Sequence, residues 1–183
     1  MTKFRTLVAD PAWLFGDSLP GGGRGAAKHY KCMKLKDIMN FMIPPMEDNS
    51  RLLLWRVAAM QQEALDVARA WGFNQKSEMV WVKMAGNGRL YTGMGHQVRN
   101  AHEVCLICTR GSPTRNDMKQ RSVFFAPKPK QHSAKPDRFY RIVQRLYPGP
   151  YVELFARQQR PGWTCFGDEI DKAPYSLLLA ALG

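Results

Sequence analysis

The sequence predicts an α/β domain built on a mostly parallel sheet. Three observations carry this. Short apolar runs rich in Val, Ile, Phe and Trp alternate with helical patterns along the chain. Most of those runs are continuous rather than alternating in and out, as expected of strands covered on both faces. The length, 183 residues, suits one domain, and a domain of this size needs no disulfide or structural metal to fold.

The elements follow in order. Residues 4–9 form the first strand, which Asp10 stops. Leu35, Ile38, Met39 and Met42 keep the i, i+3, i+4, i+7 spacing of a buried helix face. Residues 51–56 are the second strand. Met60, Ala64, Val67, Ala68 and Trp71 form the second helical face, and Gly72 sits where a C-terminal cap belongs. Strands at 78–83, 103–109 and 122–126 come next. Phe139, Ile142, Val143 and Leu146 face one way on a third helix, with Pro136 in its first turn and Pro148-Gly149 beyond its end. Strands at 151–156 and 164–167 close the pattern. The apolar tail 175–182 reads as a terminal helix on the core or as a dimer contact. Residues 17–30, 86–95 and 111–120 read as loops. The glycines at 21–23 and 25 lack the GxxxxGK[ST] spacing of a phosphate loop.

Composition narrows the function. Hydrophobic residues make up 45% and charged residues 23%, which are globular values that exclude general disorder and a collagen-like scaffold. The net charge is +12, from 27 Lys and Arg against 15 Asp and Glu. Such a chain attracts polyanions, nucleic acid first among them. Ten of these cations lie within residues 110–145, against only Asp117 and Asp137, which favours a phosphate-contacting surface over an ordinary solvated face. Cys105 and Cys108 form a CxxC, but on a strand residues three apart face opposite ways, so they read as core cysteines in a reducing cytoplasm. The four histidines show no metal-binding spacing. No apolar window is long enough to span a membrane, and no targeting segment is visible.

The chemistry centres on Asp10-Pro11-Ala12-Trp13. It directly follows a buried strand and so lies at the carboxyl edge of the sheet, where open α/β folds bind ligands. The exocyclic amine of a nucleobase is a poor nucleophile, because its lone pair is delocalised into the ring. A site that accepts hydrogen bonds from both N–H groups draws the nitrogen toward sp³ and frees that pair. The Asp10 carboxylate is one acceptor, and a backbone carbonyl held by Pro11 is the other; proline donates no N–H and fixes φ. Trp13 offers a flat face to a flipped base, with stacking worth about 1–3 kcal/mol.

These residues resemble the DPPW motif of the MT-A70 family, the S-adenosylmethionine-dependent adenine-N6 methyltransferases. The resemblance extends to Arg51 through Trp55, to Glu78 through Lys83, and to Tyr91 through Gly95 with Arg99, Asn100 and Glu103 through Leu106. It continues in Ser133 to Asp137 (the family's SxKPD), in Glu153 to Arg157 (its ELFAR), and in Arg160 to Trp163 with Gly167 to Glu169. It covers nearly the whole chain in family order, in the short form similar to phage and prophage members.

The resemblance implies a Rossmann-like class I methyltransferase sheet of about seven strands flanked by helices, with the catalytic motif first and the cofactor strand near the end. It implies S-adenosyl-L-methionine as cofactor and adenine N6 in nucleic acid as substrate, DNA favoured over RNA. Asp10 and Pro11, with Ala12, would bind the target amine, and Asp10 would also face the cofactor. Trp13 would line the base pocket with Tyr30, Arg99 and Asn100. Lys135 would contact the methionine end of the cofactor; Glu153 and Arg157 would organise the ribose side, unless they merely pair with each other. Gln159 or Gln158 would stand in for the family's His-Asn pair, and Asp168 and Glu169 would sit near the ribose and adenine.

Ala12 replaces the family's second proline. Eukaryotic members carry an upstream segment that reads the cofactor's adenine, and nine residues before Asp10 are not expected to supply it. An RNA-directed enzyme, a cytosine-N4 enzyme and an inactive nucleic-acid-binding partner subunit stay open. No target-recognition domain of ordinary size fits beside the catalytic one. Specificity would come from segments 16–30, 84–99 and 110–130 or from a homodimer, in the cytoplasm of a bacterial or phage-infected cell.

Overall fold

The computed structural model describes residues 2–14, 32–95, 97–117, 119–131, 133–167 and 170. The elements are β1 (Phe4–Ala9), α1 (Leu35–Met39), β2 (Met46–Arg56), α2 (Gln61–Ala70), β3 (Asn74–Met84), β4 (His102–Arg110), β5 (Val123–Pro127), α3 (Asp137–Leu146), β6 (Tyr151–Leu154) and β7 (Trp163–Phe166). The seven strands form one sheet in the order β5-β3-β4-β2-β1-β6-β7. The β1–β2, β1–β6, β6–β7 and β3–β5 pairs are parallel, and β4 runs antiparallel to both β2 and β3. This is the Rossmann-like methyltransferase sheet that the sequence reading anticipated.

Why the strands read as continuous apolar runs is now visible. Leu7 and Ala9 of β1, Leu52 and Leu54 of β2, and Val152 and Leu154 of β6 pack under Ile38 of α1 and Ala64, Val67 and Ala68 of α2. Their strand neighbours Val8, Leu53 and Trp55 pack on the other face, against Phe139, Ile142 and Val143 of α3. These residues of the central strands therefore meet protein whichever way they point, whereas edge strand β5 leaves Val123 and Phe125 exposed. Cys108 belongs to the first layer and Cys105 to the second, so the CxxC is split across the sheet. Burial pushes the Cys108 thiol up to about 12.

Several boundaries differ from expectation, among them the end of β6 at Leu154 rather than at residue 156. Strands β2 and β3 start earlier than the apolar runs, because Met46 pairs with Phe4, Ser50 with Arg110, and Asn74, Gln75 and Ser77 with β4 through backbone, while Glu47, Asp48 and Lys76 fall where the register shifts. Helix α1 ends at Met39, so Met42 lies outside it and is exposed. Pro136 caps α3 from outside in an extended conformation rather than standing in its first turn. Gly72 has φ +79° just beyond α2, as a C-terminal cap requires. There the Arg110 guanidinium takes the Trp71 carbonyl at 2.6 Å. The segment 110–145 is consequently not one basic face: Arg110 is spent on α2, and Lys135 is buried. The apolar tail 175–182 and the loop 17–30 lie outside the described residues. No helix among the described residues is long and apolar enough to cross a membrane.

Candidate active site

Strands β1, β3, β5 and β6 all point their carboxyl ends to one edge, and antiparallel β4 begins there. That edge therefore gathers Asp10 just past β1, Lys83 near the end of β3, Glu103 at the start of β4 and Glu153 near the end of β6. Lys135 enters from the β5–α3 connection and joins two of them. Its Nζ donates to Asp10 Oδ2 and lies 3.2 Å from Glu103 Oε2. The other Glu103 oxygen takes Lys83 Nζ at 2.6 Å. Lys135 is nearly enclosed, with its ammonium 5.1 Å from the centre of the Trp55 ring.

Electrostatics decide which of these groups is charged. Burial works against the Lys135 cation, but the Asp10 and Glu103 carboxylates outweigh it and hold its pKa above the ordinary lysine value. Glu103 is held below the usual carboxylate range: burial opposes its charge, and Lys135 and Lys83 more than offset that. Asp10 stands above its usual value, because burial, helped by neighbouring Glu103, overcomes the pull of Lys135.

A second network adjoins the first. Glu153 Oε1 accepts the Tyr140 hydroxyl at 2.5 Å, and Oε2 lies 3.5 Å from Arg160 Nε. Arg160 also reaches Asp137 at 2.9 Å and stacks on the Tyr140 ring at 3.4 Å. Burial raises the Glu153 pKa against the opposing pull of Tyr140 and Arg160. The Tyr140→Phe variant should lose about 1.5–3 kcal/mol of stability, the worth of a hydrogen bond to a charged group. Urea unfolding checks this, and an unchanged midpoint would show that the hydroxyl contributes nothing.

Asp10, Lys135, Tyr140, Glu153, Arg157 and Arg160 line one shallow cavity. Ser133 and Phe155 line it too, with φ of 60° and 61°. They are the non-glycine residues with positive φ among those described, and both stand at this cavity. Backbone held in such conformations clusters at ligand sites, where surrounding structure imposes it.

The sequence expectations fare unevenly. Asp10, Lys135, Glu153 and Arg157 are brought together. Glu153 holds Tyr140 and Arg160. Gln158 lines the cavity, whereas Gln159 does not. Trp13 is 4% exposed, sits among core residues, and donates its indole N–H to the Trp55 carbonyl at 3.0 Å. It therefore braces the turn to β2 and presents no open stacking face. The Pro11 carbonyl, expected to be free for the amine, accepts the Trp13 N–H at 2.9 Å, and the Ala12 carbonyl accepts the Met33 N–H at 2.8 Å. Each keeps one lone pair for another donor. Arg99 and Asn100 are exposed in the loop before β4 and do not line the cavity. Tyr30, Asp168 and Glu169 lie outside the described residues.

Glu103, Lys83, Tyr140 and Arg160 had no role assigned from sequence. Charged residues at strand ends and an aromatic on a helix look ordinary until the sheet edge assembles. One signal was available: a glutamate opening an otherwise apolar buried strand.

The residues can be tested against S-adenosylmethionine. Its methionine end is a zwitterion, and here a buried ammonium and a carboxylate stand side by side, facing a cavity. A second buried carboxylate at a neighbouring strand end suits hydroxyl donors. The donor set fits that group.

Comparison with known proteins agrees with this geometry. A family model for MT-A70 matches residues 4–169. The chain is 29% identical over 174 residues to the N(6)-adenosine-methyltransferase MT-A70-like protein of Drosophila melanogaster, covering 92% of this chain and 27% of that protein. It is 28% identical to the human N(6)-adenosine-methyltransferase catalytic subunit METTL3, covering 92% of this chain and 28% of that one. With the Type II methyltransferase M.MunI of Mycoplasma sp it shares 26% identity over 188 residues, 92% of this chain and 78% of the relative. The chain thus spans little more than a quarter of the adenosine methyltransferases and most of M.MunI. With the family model matching residues 4–169, nearly the whole described sheet, this chain belongs to the MT-A70 family.

Proposed function

We propose that the protein transfers a methyl group from S-adenosylmethionine to the N6 amine of adenine in nucleic acid, with DNA as the favoured polymer. The observation that carries this is Asp10, held at the carboxyl edge of the sheet by Lys135 inside a cavity of matching charge. DNA is put first because the similarity to the Type II methyltransferase M.MunI runs over 78% of that relative's length.

When bound, the cofactor supplies a methyl group activated on a sulfonium sulfur. Lys135 would hold its carboxylate, Asp10 its ammonium side, and Glu153 and Arg157 its ribose side. Asp10 also faces the target amine. It accepts one N–H, pulls the nitrogen out of conjugation with the ring, and is placed to hold the proton that the amine sheds. The remaining lone pairs of the Pro11 and Ala12 carbonyls are the candidates for the second N–H. Positioning and electrostatics then lower the barrier without a strong base.

The test is transfer from labelled S-adenosylmethionine to matched DNA and RNA, single- and double-stranded, with nucleosides resolved by mass spectrometry. N6-methyladenine as the product supports the reading. N4-methylcytosine, or no product despite cofactor binding, overturns it, the second result in favour of a partner subunit. Specificity should be relaxed or confined to a short motif, or be completed by a homodimer. Sequencing of methylated random DNA checks this, and a site of six or more bases read by an isolated monomer would sink it.

A further inference from the structure

Between β3 and β4 the chain leaves the catalytic edge and returns to it through residues 85–101. This loop is folded tightly on itself. Tyr91 N–H donates to the Lys83 carbonyl at 2.9 Å, Ala85 N–H to Arg89 at 2.8 Å, and Gly93 N–H to Asn100 at 3.1 Å. Met84 bridges to Leu90. A Cβ on Gly93 would stand 2.4 Å from the Asn100 carbonyl oxygen, and one on Gly95 1.9 Å from that of Val98. Only glycine permits so close a fold. The Tyr91 ring is capped by the Lys128 ammonium at 5.2 Å.

This ordered loop turns large apolar side chains outward: Leu90 is 59% exposed, Met94 72% and Val98 74%. Three such residues within nine positions, beside a backbone held by these hydrogen bonds, concentrate exposed apolar surface in one short segment. The surroundings name its chemistry. The loop carries Arg89 and Arg99 and no acidic residue, and exposed Lys128 and Lys130 follow β5 at the same edge. An apolar tip framed by cations suits a stacked polyanion: the cations take phosphates, and the tip enters between bases.

We propose that Met94 and Val98 form a wedge that enters a DNA duplex beside the target adenine and fills the space it vacates on leaving the stack. The proposal rests on the methyltransferase reading above. A base inside a duplex cannot reach Asp10, so the enzyme must extrude it and compensate for the lost stacking. The wedge supplies the compensation that the buried Trp13 cannot.

The double variant Met94→Ser, Val98→Ser tests this in the full-length chain. Both positions are exposed, so thermal unfolding should be unchanged. On duplex DNA kcat/KM should fall at least tenfold, while on single-stranded DNA of the same sequence it should stay within twofold. A duplex carrying 2-aminopurine at the target position should brighten with the wild type and not with the variant. Equal loss on both polymers, no loss on either, or wild-type activity confined to single strands would overturn the wedge. So would a dimer that the variant turns to monomer in sedimentation, since the tip would then be a contact between copies. Failure of the underlying reading is distinct: the wild type would methylate adenine in no polymer.

Discussion

Replacing Asp10 with alanine should lower methyl transfer to nucleic acid by about 100- to 1,000-fold, the cost of removing one preorganised electrostatic partner of a transition state. The fold should survive. Lys135 keeps Glu103 at 3.2 Å, so the buried ammonium is not left without a counter-ion. The Asp10→Asn variant separates two contributions: its amide oxygen still accepts a hydrogen bond but carries no charge to stabilise the proton leaving the amine. It should fall between wild type and Asp10→Ala. Transfer from labelled cofactor to DNA measures both, and an alanine variant within threefold of wild type would remove Asp10 from the chemistry.

Lys135→Met should be the most damaging single change to stability, at about 3 kcal/mol. Removing one member of a buried charge cluster costs about 3–5 kcal/mol, because the remaining charges are left uncompensated. Partial exposure of Asp10 and Glu103 places the value at the low end. The pH dependence identifies the cause. The folded Lys135 pKa lies above the ordinary 10.5, so its stabilisation is fully present below 10.5 and is lost as pH rises through the folded value. The gap in urea midpoint between wild type and Lys135→Met should hold steady from about pH 6 to 10 and narrow above that. Adding Glu103→Gln to Lys135→Met should recover part of the loss, as one of two opposed carboxylates is gone. A gap that ignores alkaline pH would show that packing against Trp55, not charge, is what Lys135 contributes.

Much of this architecture was legible in the sequence because it is a matter of local apolar pattern. All seven strands were found: the central ones, covered on both faces, read as unbroken apolar runs, and edge strand β5 stays apolar although Val123 and Phe125 are exposed. The cap at Gly72 was found because a positive φ selects glycine. The ends of β2 and β3 were not: polar residues such as Asn74, Gln75 and Ser77 join the ladder through backbone atoms that every residue shares. In the site, Asp10 and Lys135 were marked by their motifs. Glu103 and Lys83 were missed because their meaning depends on β4 running backwards, which puts the start of one strand beside the ends of the others. Trp13 shows the converse limit. An aromatic two residues past a catalytic carboxylate looks the same in sequence whether it faces a base or the core, and only the carbonyl of Trp55 decides it.

The strand order also governs how the protein is made. β1 carries the Asp10 turn and leaves the ribosome before the strands that follow it, yet one of its two neighbours, β6, lies at Tyr151–Leu154. At about 5–20 residues per second, roughly 7–30 s separate the two. Throughout that interval the nascent chain offers an apolar strand, Thr6 to Ala9, with its β6 side unpaired, which is the kind of edge through which chains aggregate. Pairing across so long a loop is intrinsically slow. Yield in a foreign host should therefore depend on translation speed and chaperone supply more than on the stability of the finished fold, and no amino-terminal fragment ending before β6 can complete the Asp10 site.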